Sequence, residues 1–149
     1  MNHSCTLCRK YNKLDKLTGQ IVFETEHFVV IHQQPPVYVL GWLIILPKEH
    51  MTDQLQLTKI QTAELIDLQM KFTRILTELT KAERIYWVMF SEKVKHIHFH
   101  LVPVQKDLVS EARGHKIFEW EGEKPVSELE IDGFCDYLIE AIKSKSHSS

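Results

Sequence analysis

Three histidines alternate with apolar residues near the centre of the chain, in the run His96-Ile97-His98-Phe99-His100. Because the side chains of a β-strand point to opposite faces with a period of two, this run predicts a strand with one imidazole face and one apolar face. Alternate residues of a strand lie roughly 6.6 Å apart. A row of imidazoles at that spacing can hold a phosphate, a metal ion, or one of each. A single histidine is usually a solvated or hydrogen-bonded side chain, but three in strict alternation are harder to explain in that way.

The rest of the chain has the order of strands and helices that is typical of an α+β domain. Short apolar runs predict strands at residues 21–23, 28–31, 42–46 and 85–90. The histidine strand is expected to run from about Val94 to Val102, with Pro103 closing it. Because neighbouring strands have short links, we expect an antiparallel sheet with the helices packed on it.

Two capping boxes predict where the main helices begin. In Thr58-Lys59-Ile60-Gln61, the threonine hydroxyl and the glutamine side chain can satisfy the free amides of a helix end reciprocally. The helix that follows carries an apolar stripe and should end near residues 81–83. Ser127-Glu128-Leu129-Glu130 predicts a C-terminal helix in the same way. The polar residues from Lys143 to Ser149 are expected to form a disordered tail, which leaves residues 1–142 as a single domain.

The composition bounds the function only broadly. A length of 149 residues is that of one ordinary domain, and the net charge of -2 gives no argument for a nucleic-acid partner. No apolar run approaches the ~20 residues needed to span a bilayer. The N-terminus also lacks an apolar signal region. We therefore expect a cytoplasmic protein without a membrane partner.

The long connection over residues 104–125 is a second place to look for function, because long connections in compact domains are often functional. Arg113 and Lys116 could supply positive charge to a phosphate there. The alternative is that both belong to a solvated loop.

The histidine row suggests chemistry at phosphorus. Imidazole is a nucleophile near neutral pH because its neutral form is populated. One nitrogen can attack phosphorus while a backbone carbonyl holds the other, which gives a phosphoramidate intermediate. The middle residue, His98, is the natural nucleophile, and His100 could donate to the phosphate oxygens as charge develops. His96 then remains for a metal, although all three imidazoles could instead form one catalytic metal site.

The cysteines support a separate metal site. Cys5 and Cys8 have the two-residue spacing that lets two thiolates chelate one ion, although they could also be incidental thiols. Zinc prefers four nitrogen or sulfur ligands, and His50 and His96 are the candidates for the other two. Such a closed site would be structural. The odd count of three cysteines argues against a disulfide framework, and Cys135 is expected to be a small core residue.

Three segments together resemble one protein family. The run from His96 to Pro103, His-Ile-His-Phe-His-Leu-Val-Pro, resembles the defining motif of the histidine triad (HIT) proteins, which are nucleotide hydrolases and transferases. The segment from Gly41 to His50 resembles the family's glycine, histidine, apolar run and Pro-Lys-x-His. Cys5-Thr6-Leu7-Cys8 resembles the N-terminal pair of the zinc-bearing members. The resemblance covers residues 5 to about 103.

The resemblance implies both a fold and an activity. The fold is a HIT-like α+β fold with a five-stranded antiparallel sheet, one long helix and a C-terminal helix, commonly in a homodimer that extends the sheet across two subunits. The activity is cleavage of a nucleoside phosphate bond, such as an anhydride, a phosphoramidate or a related ester. His98 aligns with the nucleophile that becomes nucleotidylated, and His100 aligns with the phosphate-facing histidine. The structural zinc ligands of the family map to Cys5, Cys8, His50 and His96.

The chain departs from the family pattern at positions that concern the substrate. Ser91-Glu92 stands where many members have Gly-Gln, so Glu92 is the substrate-binding candidate there, with Lys93 or Lys95 to compensate its charge. Trp42 replaces the usual histidine. The chain also has no asparagine at residues 84–86 and no ribose-binding carboxylate at residues 32–33. A second hypothesis is therefore a zinc-stabilised nucleotide-binding or adaptor module with little catalytic activity.

Overall fold

The computed structural model describes residues 2–146, which contain one five-stranded sheet and three α-helices. The strands are β1 (Phe23–Glu24), β2 (Phe28–His32), β3 (Leu43–Pro47), β4 (Arg84–Val88) and β5 (Phe99–Val104). The helices are α1 (Thr6–Tyr11), α2 (Lys59–Thr80) and α3 (Glu128–Ser146), and short 3₁₀ turns lie at Gln54–Gln56, Ser110–Ala112 and Gly114–Phe118. Every strand pair is antiparallel, in the order β1-β2-β3-β5-β4. The predicted α+β fold with a long helix and a C-terminal helix is confirmed.

The two faces of the sheet have different neighbours: helix α2 covers one, and the other, called here the histidine face, carries His100. Leu101 pairs with Trp87, whose indole Nε1 donates to Thr73 Oγ1 of α2 at 2.8 Å, so α2 covers this face. His100 directly precedes Leu101 in β5, so its side chain lies on the opposite face of the sheet. Its ring packs against Phe118 with the ring centroids 5.0 Å apart. Phe118 comes from the long connection, which therefore lies on the histidine face.

Both capping boxes form as predicted. Thr58 Oγ1 accepts from the amide of Gln61 at 3.1 Å, and Gln61 Oε1 accepts from the amide of Thr58 at 2.9 Å. Ser127 and Glu130 exchange the same two bonds, at 3.1 and 3.2 Å. Helix α2 ends where Lys81 adopts a left-handed conformation with φ 59°, within the predicted boundary.

The end of α3 differs from the prediction. The helix continues to Ser146, so residues 143–146 are helical and do not form a disordered tail. Lys143 lies 3.6 Å from Glu140 one turn earlier, and Lys145 lies 2.6 Å from Glu78 of α2. Lysines in the last turn also interact favourably with the helix dipole. The rest of the predicted tail, residues 147–149, lies outside the described residues.

The histidine strand is shorter at its start and longer at its end than predicted. Strand β5 begins at Phe99, because the pairing with β3 ends at Phe99 opposite Ile45. Upstream of it, the amide of Ile97 donates to the carbonyl of Met51 at 2.8 Å. At the other end the strand continues through Pro103, which pairs with Ile85 of β4. Proline is tolerated there because β3 has no pair beyond Leu101, so no N–H is needed on that side.

None of the helices in residues 2–146 is long and apolar enough to cross a membrane. The cytoplasmic location stays a prediction. Cys135 is fully buried in the core beside Ile131 and Leu138, as its pattern predicted, and it is a free thiol.

His32, at the end of β2, is a buried and neutral part of this frame. Its Nε2 accepts from the amide of Gly41 at 2.9 Å, so the proton of the neutral ring is on Nδ1, which donates to the carbonyl of Gln33 at 2.8 Å. Its ring packs edge to face against Phe134 of α3, with centroids 6.0 Å apart. Burial lowers the pKa of His32 below its ordinary value of 6.5.

We predict that the free energy of unfolding decreases as the pH falls below 6.5. The folded chain excludes the proton that the unfolded His32 takes up in this range, so the unfolded state binds more protons and gains stability. The contribution of one such group changes by at most about 1.4 kcal/mol per pH unit. Urea denaturation at several pH values between 7.5 and about 5 measures the slope of the free energy of unfolding against pH. The His32→Gln variant keeps an acceptor for Gly41 and should show a smaller slope; an equal slope in both proteins would contradict the prediction.

Candidate functional site

Two cysteines and two histidines meet beside the start of α1. Cys5 is the N-cap residue of this helix, and its Sγ accepts from the amide of Cys8 at 3.4 Å, which holds both thiols on one side. The Sγ of Cys8 lies 3.4 Å from the Nδ1 atoms of both His50 and His96. One ligand atom from each of the four residues lies within 4.8 Å of all the others. The structure thus brings together the four residues that the sequence singled out for a metal.

The chemistry of this cluster is compatible with a zinc ion. His96 Nε2 lies 2.8 Å from the carbonyl oxygen of Pro47, so Nε2 carries the proton and Nδ1 presents a lone pair to the thiols. Cys8 and His96 are only 2% and 1% exposed. Burial raises the pKa of the Cys8 thiol and lowers the pKa of His96, so both groups favour their neutral forms. A divalent cation would balance two thiolates in this enclosed place, and two sulfur with two nitrogen donors is a common zinc set.

The middle histidine is oriented by the backbone of the first. The Nδ1 atom of His98 lies 2.8 Å from the carbonyl oxygen of His96, so Nδ1 carries the proton of the neutral ring. Ser91, with a left-handed φ of 55°, accepts from the amide of His98 through its Oγ at 3.3 Å. Burial lowers the pKa of His98, so the ring is neutral at pH 7. The Nε2 atom of His98 therefore carries a lone pair that can attack an electrophile.

The third histidine has the opposite tautomer. The indole Nε1 of Trp42 donates to Nδ1 of His100 at 2.9 Å, so the proton of His100 is on Nε2. Burial, with a smaller contribution from His98, lowers the pKa of His100 to about 4. The rings of His98 and His100 lie edge to face with centroids 5.0 Å apart. The pair thus combines a lone pair on one ring with an N–H donor on the other.

An aromatic side chain from the long connection covers this pair. Phe118 packs edge to face against His100, Trp42 and Phe90, with centroid distances of 5.0, 5.1 and 5.0 Å. Long connections are often functional, but nothing in the sequence of this one distinguishes Phe118 from an ordinary loop residue. Only the fold reveals that this ring contacts the site.

The charged candidates lie further out. Glu92, Lys93 and Lys95 are exposed in the segment between β4 and β5, and Glu92 follows Ser91 directly. Arg113 donates to the carbonyl oxygens of Leu108, Gln105 and Lys106, at 3.0, 3.1 and 2.7 Å. Its guanidinium therefore holds the long connection in shape, and Lys116 is exposed.

Two further groups that orient the triad were missed by sequence reasoning. The carbonyl of Pro47 orients His96, and a backbone acceptor leaves no signal in a sequence. The indole of Trp42 orients His100, and here a signal existed, because Trp42 stands where a histidine was expected. Recognising its role required the β3–β5 register, which places Ile44 opposite His100 and so brings Trp42 to the same face.

Comparison with known proteins identifies the relatives of this chain. The family model described as "Protein similar to CwfJ C-terminal" matches residues 1–118. No curated protein sequence matches the chain significantly.

Several solved structures share the fold. A hypothetical histidine triad nucleotide-binding protein from Sulfolobus tokodaii strain 7 is 21% identical, with a TM-score of 0.73 over 94% of this chain and 93% of that one. A Hit-like protein involved in cell-cycle regulation from Bartonella henselae is 12% identical, with a TM-score of 0.72 over 95% and 98%. A Zn-bound histidine triad family protein from Mycobacterium smegmatis is 19% identical, with a TM-score of 0.69 over 95% and 97%. At these identities the likeness establishes the histidine triad fold.

We predict that the purified protein carries about one equivalent of a divalent transition metal, since the four donors form a closed set. Cys8→Ser should remove most of it, because a serine hydroxyl is a poor ligand for zinc. Cys135→Ser is the matched control, since it also replaces a buried free cysteine but lies outside the cluster. Elemental analysis by mass spectrometry checks the content. Equal metal in the two variants would contradict the assignment.

Proposed function

Since the chain belongs to the family of proteins similar to the CwfJ C-terminal region and has the histidine triad fold, we propose that it is a nucleotide hydrolase or nucleotidyltransferase that works through a nucleotidyl-histidine intermediate. The observation that carries the proposal is the 2.8 Å contact between His98 Nδ1 and the His96 carbonyl. This contact leaves the Nε2 lone pair of His98 free for attack on phosphorus. The substrates are nucleoside phosphate anhydrides, phosphoramidates or related esters.

The proposed reaction has two displacements at phosphorus. In the first, His98 Nε2 forms a bond to phosphorus, and the bond to the leaving group breaks with its electron pair. The proton stays on Nδ1, which continues to donate to the His96 carbonyl, and this hydrogen bond supports the positive charge that the ring acquires. In the second, the oxygen of water or another acceptor forms a bond to phosphorus and loses its proton to solvent, and the electron pair of the breaking P–N bond returns to Nε2.

Two further side chains have proposed roles in substrate binding. His100 presents its Nε2–H as a donor to the phosphate oxygens, where charge develops in the transition state. Glu92 lies in the segment that carries Ser91, next to the nucleophile, and is the proposed contact from that side. The neighbouring exposed Lys93 and Lys95 offset its negative charge.

We propose that the metal of the cluster is zinc and that its role is structural. Cys5, Cys8, His50 and His96 supply four ligands, which leaves no open coordination position. Bound there, the ion holds the N-terminal segment against His96. The same geometry speaks against a catalytic metal shared by the three triad histidines, because the lone pair of His96 faces the thiols and not the other two rings.

We predict that His98→Asn abolishes turnover, with a loss of at least about a thousandfold, because the nucleophile is removed. Intact-mass analysis after rapid quenching should detect a nucleotidyl adduct on the wild type, over a panel of nucleoside anhydrides and phosphoramidates. The variant should show none. His115→Asn replaces an exposed histidine and serves as the control.

The outcome of that experiment separates the two hypotheses for the chain. Turnover by His98→Asn at the wild-type rate would contradict the proposed chemistry. Tight nucleotide binding by the wild type, without any adduct or turnover across the panel, would favour the nucleotide-binding or adaptor module. Metal content measured on the same sample ensures that the cluster is filled in both proteins.

We also propose a homodimer that joins two sheets at β4. Among the described strands, β4 is an outer strand of five residues with one paired side, whereas the other outer strand, β1, has only two residues. An edge of that length presents free backbone groups that a second copy can pair with. Phe90, just beyond β4, is 52% exposed and would be covered.

The dimer is expected to have a mass of about twice 17.5 kDa in size-exclusion chromatography with light scattering. Phe90→Lys places a charge at this edge and should shift the protein towards the monomer. Leu129→Lys changes an apolar residue of α3 that is 83% exposed and should leave the dimer intact. A monomeric wild type at tens of micromolar would contradict the proposed assembly.

A further inference from the structure

The contact between Trp42 and His100 fixes where a proton sits in the site. An indole nitrogen can only donate a hydrogen bond, so the 2.9 Å distance from Trp42 Nε1 to His100 Nδ1 requires a lone pair on Nδ1. Trp42 is only 5% exposed and is held by Phe118, with ring centroids 5.1 Å apart. His100 itself is 6% exposed. The proton of His100 is therefore on Nε2, and buried packing maintains that arrangement.

This arrangement lets His100 donate a hydrogen bond but prevents it from giving up a proton readily. A second proton on Nδ1 would face the indole N–H at the same 2.9 Å, a distance too short for a water to fit between the two donors. His100 is thus not a cationic acid. Transfer of its single proton from Nε2 would leave an imidazolate anion in a buried place, which is strongly unfavourable.

We propose that Trp42 is a specificity-determining positioning residue that restricts the reaction to leaving groups which depart as stable oxyanions. The preferred substrates are then nucleoside phosphate anhydrides, and phosphoramidates of alkylamines are poor substrates. The inference rests on the proposed nucleotidyl transfer to His98 and narrows it. The narrowing of the substrate class follows from the contact between Trp42 and His100, and not from the row of histidines itself.

The electron balance of the first displacement gives the reason. With an anhydride, the new bond joins His98 Nε2 to phosphorus, the P–O bond breaks, and its electron pair leaves on a phosphate oxygen without any proton. With a phosphoramidate, the P–N bond breaks and the electron pair moves to nitrogen, which must take up a proton at the same time. The proton of His98 is on Nδ1 and is donated to the His96 carbonyl, and His100 holds only the Nε2 proton. Neither ring supplies the proton that an amine needs.

The test compares kcat/KM for two adenosine substrates that differ in the leaving group. One is a dinucleoside triphosphate, and the other is an alkylamine phosphoramidate of adenosine monophosphate. The wild type should prefer the anhydride. Trp42→Phe keeps an aromatic ring but removes the donor, so His100 can accept a proton on Nδ1 and serve as an acid. Burial still disfavours the cationic ring in this variant. We therefore expect the ratio of the two kcat/KM values to fall by only about tenfold, less than the roughly hundredfold or more that general acid catalysis typically contributes.

Trp87→Phe is the matched control. It also removes an indole N–H, in this case the one that donates to Thr73 at 2.8 Å on the opposite face of the sheet. This variant should keep the wild-type ratio. A loss of activity towards both substrates in equal proportion by Trp42→Phe would indicate a structural role only and would overturn the inference.

A spectroscopic readout tests the tautomer without activity. In protein labelled with ¹⁵N at histidine, the wild type should show His100 protonated at Nε2 and unprotonated at Nδ1. Trp42→Phe should move the Nδ1 resonance of His100 towards the protonated position. A protonated Nδ1 in the wild type, or equal cleavage of the two substrates by the wild type, would overturn the inference while leaving the nucleotidyl chemistry intact. Turnover of neither substrate would overturn the proposed function itself.

Discussion

The hydrogen bond between His96 Nε2 and the carbonyl of Pro47 is the contact on which the rest of the site depends. It turns Nδ1 of His96 towards Cys5 and Cys8, which allows the N-terminal segment to join the cluster. The same residue uses its own carbonyl to hold Nδ1 of His98. One buried residue thus connects the candidate metal centre to the candidate nucleophile. The cysteines and His98 therefore both depend on the placement of His96.

The three histidines of the row are chemically unequal because each has a different partner for its second nitrogen. A backbone carbonyl sets the proton of His96 on Nε2, and another sets the proton of His98 on Nδ1. An indole sets the proton of His100 on Nε2. Burial lowers the pKa of all three rings and keeps them neutral. The row can therefore provide a metal ligand, a nucleophile and a hydrogen-bond donor from one residue type.

Much of the frame and of the metal cluster could be predicted from the sequence because the signals are local or chemically restrictive. The capping boxes at Thr58 and Ser127 involve residues three positions apart, and the spacing of Cys5 and Cys8 predicts a metal site that needs two more donors, which the structure supplies as His50 and His96. The start of β5 could not be predicted, since it depends on where β3 stops pairing. The same holds for Phe118 and Trp42, whose contacts with His100 arise from the sheet register and from the path of the connection. Among the contacts of the helical residues 143–146 is one with Glu78 of α2, which lies far away in the sequence.

The most direct test of the central claim, that each imidazole has its proton set by a different neighbour, is a long-range ¹H–¹⁵N correlation spectrum of the histidine-labelled protein at neutral pH. His98 should have its proton on Nδ1 and a lone pair on Nε2, whereas His96 and His100 should have the opposite tautomer. Observation of His98 with its proton on Nε2 would contradict the claim, because the nitrogen that must attack phosphorus would then have no lone pair.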